Sequence, residues 1–230
     1  MFLRFHTAHL IAIGTIVVAA SGMTWIVRRH PEMSKGVRVA LAAAVACAVV
    51  AYWVLSFRAG ELTRWDFIPL QLCDFALFLA IFALLTRWRP AVELLYFWAG
   101  SGTLLAILMP DVAGGFLRWR TVTFFVLHGA VVVSAAVLVF GLGDRPAPGA
   151  VLRAVIATNA YACVVATVDV ATGMNFLYLR AKPVEPSLLD WFGPWPFYIV
   201  GAELVMFGMF LLLRELSRLL PLCSGQHTSQ

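Results

Sequence analysis

The chain has 230 residues, of which 62% are apolar and 13% are charged. A soluble domain carries about a quarter charged residues, so the composition excludes a soluble enzyme with one membrane anchor, a disordered chain and a coiled coil. The net charge of +5 lies in short loops, which indicates membrane topology and not nucleic-acid binding.

Seven uninterrupted apolar stretches follow one another, and each is long enough to cross the bilayer as a helix. They cover residues 7–27, 37–57, 68–86, 91–108, 121–141, 151–172 and 195–213. Their apolar residues do not alternate as those of barrel strands do. We therefore predict an all-α polytopic membrane protein, a bundle of about seven transmembrane helices. Residues 1–220 would form one domain and residues 221–230 a disordered tail.

Basic residues are divided unequally between the two sides that seven spans define. The side of the C-terminus holds ten of the 17 Lys and Arg residues, and the side of the N-terminus holds seven. Positive residues prefer the cytoplasm. We predict a multi-pass protein of the cell membrane with its N-terminus outside and its C-terminus in the cytoplasm.

Four ionisable side chains lie inside the predicted spans, where charged groups are rare and commonly functional. Asp74, His128, Asp169 and Glu203 each fall about 6 to 10 Å from the predicted outer end of their helix, at 1.5 Å per residue. This shared depth predicts one polar layer near the outer leaflet. The layer could be a structural hydrogen-bond network, with Asp169 and Glu203 holding it together, or a working site.

The four cysteines show no spacing typical of a zinc site or a disulfide framework. Cys47 and Cys163 lie among alanine and valine in mid-span, where a thiol is usually an apolar filler. Cys73 differs, because it adjoins Asp74 and shares its depth with His128, a possible base. Filler and nucleophile both remain open for Cys73. His6 and His9 are interpreted as interface residues, and no metal site is predicted.

The chain resembles the YwaF-like bacterial integral membrane proteins in five motifs that occur in the same order. They occupy residues 68–74 (Ile-Pro-Leu-Gln-Leu-Cys-Asp), 109–111 (Met-Pro-Asp), 124–129 (Phe-Phe-Val-Leu-His-Gly), 172–183 (Thr-Gly-Met-Asn-Phe-Leu-Tyr-Leu-Arg-Ala-Lys-Pro) and 193–198 (Gly-Pro-Trp-Pro-Phe-Tyr). That family is similar to an animal transmembrane family credited with acyl transfer onto ether phospholipids through a cysteine. The resemblance implies that Cys73 holds the acyl group and that His128 is its base.

One position departs from the family pattern. The family usually reads Pro-Leu-His-Leu-Cys, whereas this chain has Gln71 in place of the histidine. Glutamine cannot accept a proton, although it can orient a substrate carbonyl. Either His128 carries the base role alone, or this member has lost the activity.

The leading hypothesis is a lipid acyltransferase whose intramembrane site opens to the outer leaflet, with Cys73 as nucleophile and His128 as base. It needs no cofactor, its partner is membrane lipid and not nucleic acid, and its oligomeric state is open. The predicted substrate-binding residues are Gln71, Asp74, Asp111, Asn175, Tyr178, Arg180 and Tyr198, and Lys182 could attract phosphate with Arg180. The alternative is a proton-coupled transporter, or a membrane protein that binds lipid or small molecules without catalysis.

Overall fold

A computed structural model describes residues 6–60, 68–110, 118–183 and 187–219. Within these ranges the chain forms helices and no strand, which confirms the all-α membrane fold. The seven main helices are α1 (Thr7–Arg29), α2 (Ser34–Arg58), α3 (Leu72–Thr86), α4 (Arg89–Leu108), α5 (Trp119–Gly141), α6 (Ala150–Thr172) and α7 (Phe197–Leu219). That residues 1–220 form one domain stays a prediction, and the predicted tail, residues 221–230, lies outside the described residues.

The third predicted span needs a correction. Residues 68–71 are not helical, because Pro69 has no backbone N–H and Gln71 is extended, with φ −67° and ψ 144°. α3 therefore has 15 residues and a length of about 22 Å, less than the bilayer core of about 30 Å. In the described part of the chain, the other six helices are long and apolar enough to span a membrane.

α4 is the centre of the bundle. It packs against α3, α5, α6 and α7, and most of its side chains are buried, including Phe97 and Trp98. Its middle, Ala99–Thr103, is a π-helical segment. A Cβ atom on Gly102 there would lie 2.9 Å from the Leu72 side chain, so the missing side chain lets α4 approach the start of α3.

The bundle has two chemically different ends. We call one the Cys73 end: there α1, α3, α5 and α7 begin and α2, α4 and α6 end. The opposite end is called the Glu93 end. Arg38 near the start of α2 donates to the carbonyl of Leu84 near the end of α3, which confirms that these two helices run antiparallel.

His9 is buried in the bundle, whereas the sequence suggested a side chain exposed at the membrane interface. It is 1% exposed, and its Nε2–H donates to the carbonyl of Ile107, 2.8 Å away. The ring also lies 5.5 Å from that of Phe125. His9 thus joins the start of α1 to the end of α4, where a carbonyl has no partner within its own helix.

Candidate functional site at the Cys73 end

Cys73 lies in the first turn of α3, immediately after the non-helical residues 68–71. Its side chain is half-buried, and the thiol faces Asp74 Oδ1 across 3.9 Å. Cys47 and Cys163 differ from it, because both are exposed on the outside of the bundle. Cys73 is therefore the most enclosed cysteine in the described part of the chain.

Tyr161 of α6 has a polar side chain that reaches the start of α3. Its hydroxyl donates to the carbonyl of Leu70 over 3.0 Å, and its ring lies 5.0 Å from the ring of Phe75. Sequence reasoning missed this residue. A tyrosine inside an apolar span, whose hydroxyl needs a partner when buried, was the available signal.

A loop after α6 covers the same turn. The N–H of Leu177 donates to Gln71 Oε1 over 3.2 Å, and the neighbouring N–H of Phe176 donates to Asp169 Oδ1 over 2.8 Å. Gln71 therefore uses its carbonyl oxygen to hold this loop in the structure, whereas the sequence predicted that it binds substrate.

Two adjacent residues of that loop have left-handed backbone angles that side chains other than glycine rarely adopt. The φ angles are 54° at Leu177 and 57° at Tyr178. Such conformations cost about 1 kcal/mol or more each and persist only where surrounding bonds impose them. The hydrogen bonds that Leu177 and Phe176 donate to Gln71 and Asp169 supply part of that restraint.

Further hydrogen bonds complete the loop. Asn175 Oδ1 accepts the N–H groups of Arg180 and Ala181, at 2.9 and 3.1 Å. The Tyr198 hydroxyl donates to the carbonyl of Tyr178 over 2.6 Å, and Tyr198 is buried. Asn175 and Tyr198, both predicted substrate ligands, thus have structural partners in the loop.

The two basic residues of the loop are also engaged. Arg180 is exposed and donates to the carbonyls of Asp169 and Met174, at 3.3 and 3.1 Å. Lys182 lies 3.4 Å from Asp190. The N–H of Ser187 and, to a lesser extent, Lys182 lower the pKa of the Asp190 carboxyl below its usual value.

His128 is 9% exposed in α5, which packs against α3. Its Nδ1–H donates to the carbonyl of Phe124 over 2.8 Å, and its ring is stacked on the Phe124 ring at 4.0 Å. This bond leaves the Nε2 lone pair available as a proton acceptor. Within the described ranges, no hydrogen bond joins His128 to Cys73.

The predicted polar layer is divided among separate partners. Glu203 Oε2 accepts from the side-chain amide of Asn159 over 3.1 Å, a residue that sequence reasoning missed. Asp169 is fully buried, and its Oδ2 has no hydrogen-bond partner among the described residues. Asp111 lies outside the described residues. The described part of the chain contains no group of three His, Cys, Asp or Glu side chains that could hold a metal ion.

Glu93 is the buried carboxylate that sequence reasoning overlooked, at the opposite end of the bundle. It accepts hydrogen bonds from the Arg153 guanidinium at 2.8 to 3.0 Å and from the N–H of Ala147 at 3.0 Å. Arg89 lies 3.3 Å away, four residues earlier in the chain. The Arg89–Glu93 spacing typical of a helical ion pair was the available signal.

Comparison with known families places these residues in context. A family model described as the TMEM164 family matches residues 4–214. That range contains every residue discussed at the Cys73 end. No curated protein and no solved structure matches the chain.

Proposed function

The chain belongs to the TMEM164 family, and we propose that this integral membrane protein transfers acyl chains between lipids with Cys73 as the acyl carrier. One observation carries the proposal: Cys73 is half-buried in the first turn of α3 under a strained loop, whereas Cys47 and Cys163 are exposed. Strained backbone is commonly found at active sites. The motif resemblance supports the same residue.

The reaction takes two steps. The Cys73 thiol loses its proton to His128, and the sulfur attacks the ester carbonyl of a donor lipid. The sulfur–carbon bond forms, the ester carbon–oxygen bond breaks, and the departing alkoxide takes the proton from His128. The hydroxyl of an acceptor lipid then loses its proton to His128 and attacks the thioester. The sulfur–carbon bond breaks, a new ester remains, and the proton returns to Cys73.

His128 suits the base role because its Nδ1–H is fixed on the carbonyl of Phe124, which leaves Nε2 as the acceptor. No hydrogen bond links its ring to Cys73 in the described part of the chain. Binding of the lipid must therefore bring the Cys73 thiol and Nε2 of His128 together. Arg180, which is exposed in the loop, would attract the phosphate of a headgroup. We place this end at the outer leaflet, as the distribution of basic residues favours.

A second candidate is proton-coupled transport. It is favoured by Asp169, whose Oδ2 is buried and without a hydrogen-bond partner among the described residues, since such an oxygen can bind a proton. In that case Cys73 would be unnecessary. Proton-coupled solute uptake into proteoliposomes would survive Cys73→Ala and be lost in Asp169→Asn.

The test is acyl transfer from phospholipid to lysophospholipid in liposomes that contain the purified protein. We expect Cys73→Ala to abolish transfer while the protein stays folded. Cys163→Ala is the control for loss of a thiol, and it should transfer at the normal rate because its side chain is exposed in mid-helix. Full activity of Cys73→Ala would refute the proposal.

A further inference from the structure

We infer that Tyr161 is a positioning residue for Cys73, an inference that deepens the proposed function and rests on it. The first contact is the hydrogen bond from the Tyr161 hydroxyl to the carbonyl of Leu70. Leu70 belongs to the non-helical residues that precede α3, so no helical hydrogen bond holds its carbonyl in place. Tyr161 thereby fixes the chain three residues before the thiol.

The second contact lies on the other side of Cys73. The ring centroids of Tyr161 and Phe75 are 5.0 Å apart, and Trp98 lies within 5.6 Å of Tyr161 and 6.0 Å of Phe75. Trp98 is almost fully buried and donates from Nε1 to Thr158, so this aromatic group has a fixed anchor. Tyr161 therefore holds the chain on both sides of the thiol, at positions −3 and +2.

These contacts make α6 the support of the Cys73 turn. Asp169 of α6 fixes Phe176, and the next residue, Leu177, donates to Gln71. The turn is thus restrained directly by Tyr161 and indirectly by Asp169. Only the first restraint can be removed without changing the loop, since Tyr161→Phe keeps the ring and loses the hydroxyl.

Tyr96 of α4 provides a matched control. Its hydroxyl donates to the carbonyl of Leu213 over 2.8 Å, and its ring also packs against aromatic neighbours, Phe97 and Phe140. The bond lies toward the Glu93 end, seven residues after Arg89. Tyr96→Phe therefore removes the same kind of hydrogen bond without touching the Cys73 turn.

The experiment measures thiol alkylation, which does not depend on the proposed chemistry. Cys47, Cys163 and Cys223 are replaced by Ala, so that N-ethylmaleimide can modify Cys73 alone in detergent, and intact mass gives the rate. We expect Tyr161→Phe to raise the alkylation rate about threefold or more, because the turn opens more often. Tyr96→Phe should leave the rate unchanged. The inference would be overturned if the protein with Cys73 as its single cysteine and its two Tyr→Phe variants were alkylated at equal rates. Equal increases in Tyr161→Phe and Tyr96→Phe would overturn it as well.

Acyl transfer supplies the second readout, in the protein with its native cysteines. A positioning role predicts that Tyr161→Phe lowers kcat about tenfold with KM unchanged, since only the reacting geometry is disturbed. A rise in KM with kcat unchanged would contradict the positioning role, because it would mean that Tyr161 only helps to bind substrate. If alkylation responds as expected but the native protein transfers no acyl chain, the inference about the turn stands and the acyltransferase proposal fails.

Discussion

Each end of the bundle contains a buried carboxylate, and the two carboxylates differ in how many of their oxygens accept hydrogen bonds. At the Glu93 end, both oxygens of Glu93 are bound by Arg153 and by the N–H of Ala147. At the Cys73 end, Asp169 has one oxygen on Phe176 and the other without a partner in the described residues. A satisfied ion pair stabilises a structure, whereas unused hydrogen-bonding capacity is available for chemistry.

Both ends contain residues with left-handed backbone angles, and they differ in what holds those residues, since Arg87 at the Glu93 end has a φ of 52°. At the Glu93 end, the Arg87 guanidinium donates from Nε to Asp144 over 2.8 Å, and the carboxylate raises the pKa of Arg87 further above its usual value. Arg28 donates to the carbonyl of Phe140 over 2.7 Å. At the Cys73 end, the strained residues Leu177 and Tyr178 lie in the loop whose Leu177 N–H donates to Gln71. An ion pair with Asp144 thus holds the left-handed residue at the Glu93 end, whereas hydrogen bonds with Gln71 and Tyr198 hold the left-handed residues at the Cys73 end.

The largest expected effect is on stability at the Glu93 end. Glu93→Gln should destabilise the protein by about 3 kcal/mol, because it removes the charge that pairs with Arg153 from a buried position. Unfolding by SDS in mixed micelles measures the change. Glu215→Gln is the control, since Glu215 is exposed beside Arg218 and its loss should change stability by less than about 0.5 kcal/mol. Equal effects would abolish the distinction between the two carboxylates.

At the Cys73 end, the partnered oxygen of Asp169 should matter and the unpartnered one should not. Asp169→Ala removes the bond to Phe176 and should cost about 2 kcal/mol. Asp169→Asn can keep that bond and should cost less than about 1 kcal/mol. Hydrogen exchange at the amides of Phe176 and Leu177 should accelerate in the Ala variant alone. Fast exchange in the Asn variant would show that the charge itself holds the loop.

The smallest effect concerns the exposed Asp190, whose pKa is lowered mainly by the N–H of Ser187. A lowered folded-state pKa stabilises the protein above the unfolded-state value, and that contribution disappears as the pH falls through the folded-state value. Asp190→Asn should therefore be slightly less stable than the native chain at neutral pH and equally stable in acid. A difference that persists in acid would contradict this electrostatic explanation.

The sequence predicted the helices better than the contacts between them. Six spans are recognisable because continuous apolar residues suffice for a helix in a bilayer. The predicted start of α3 is too early, since Ile68 and Leu70 are apolar but residues 68–71 are not helical. Hydropathy records no backbone angle, so only the proline could have marked that boundary.

The sequence predicted individual residues of the candidate site, but it did not predict which of them contact one another. The depth of Asp169 and Glu203 along their helices follows from counting, but their different partners depend on helix rotation and packing, which counting does not give. Tyr161 and Asn159 were missed for this reason. Glu93 was missed because a carboxylate near the end of a span resembles a loop charge until Arg153 is placed beside it.

The most direct test of the central claim is detection of an acyl thioester on Cys73. Purified protein is incubated with a phospholipid that carries an alkyne-tagged acyl chain, and its peptides are analysed by mass spectrometry before and after treatment with hydroxylamine. We predict a hydroxylamine-sensitive acyl group on Cys73, none on Cys47 or Cys163, and none anywhere in Cys73→Ala. An equal label on the exposed cysteines, or transfer that proceeds without any label on Cys73, would contradict the assignment of chemistry to this end of the bundle.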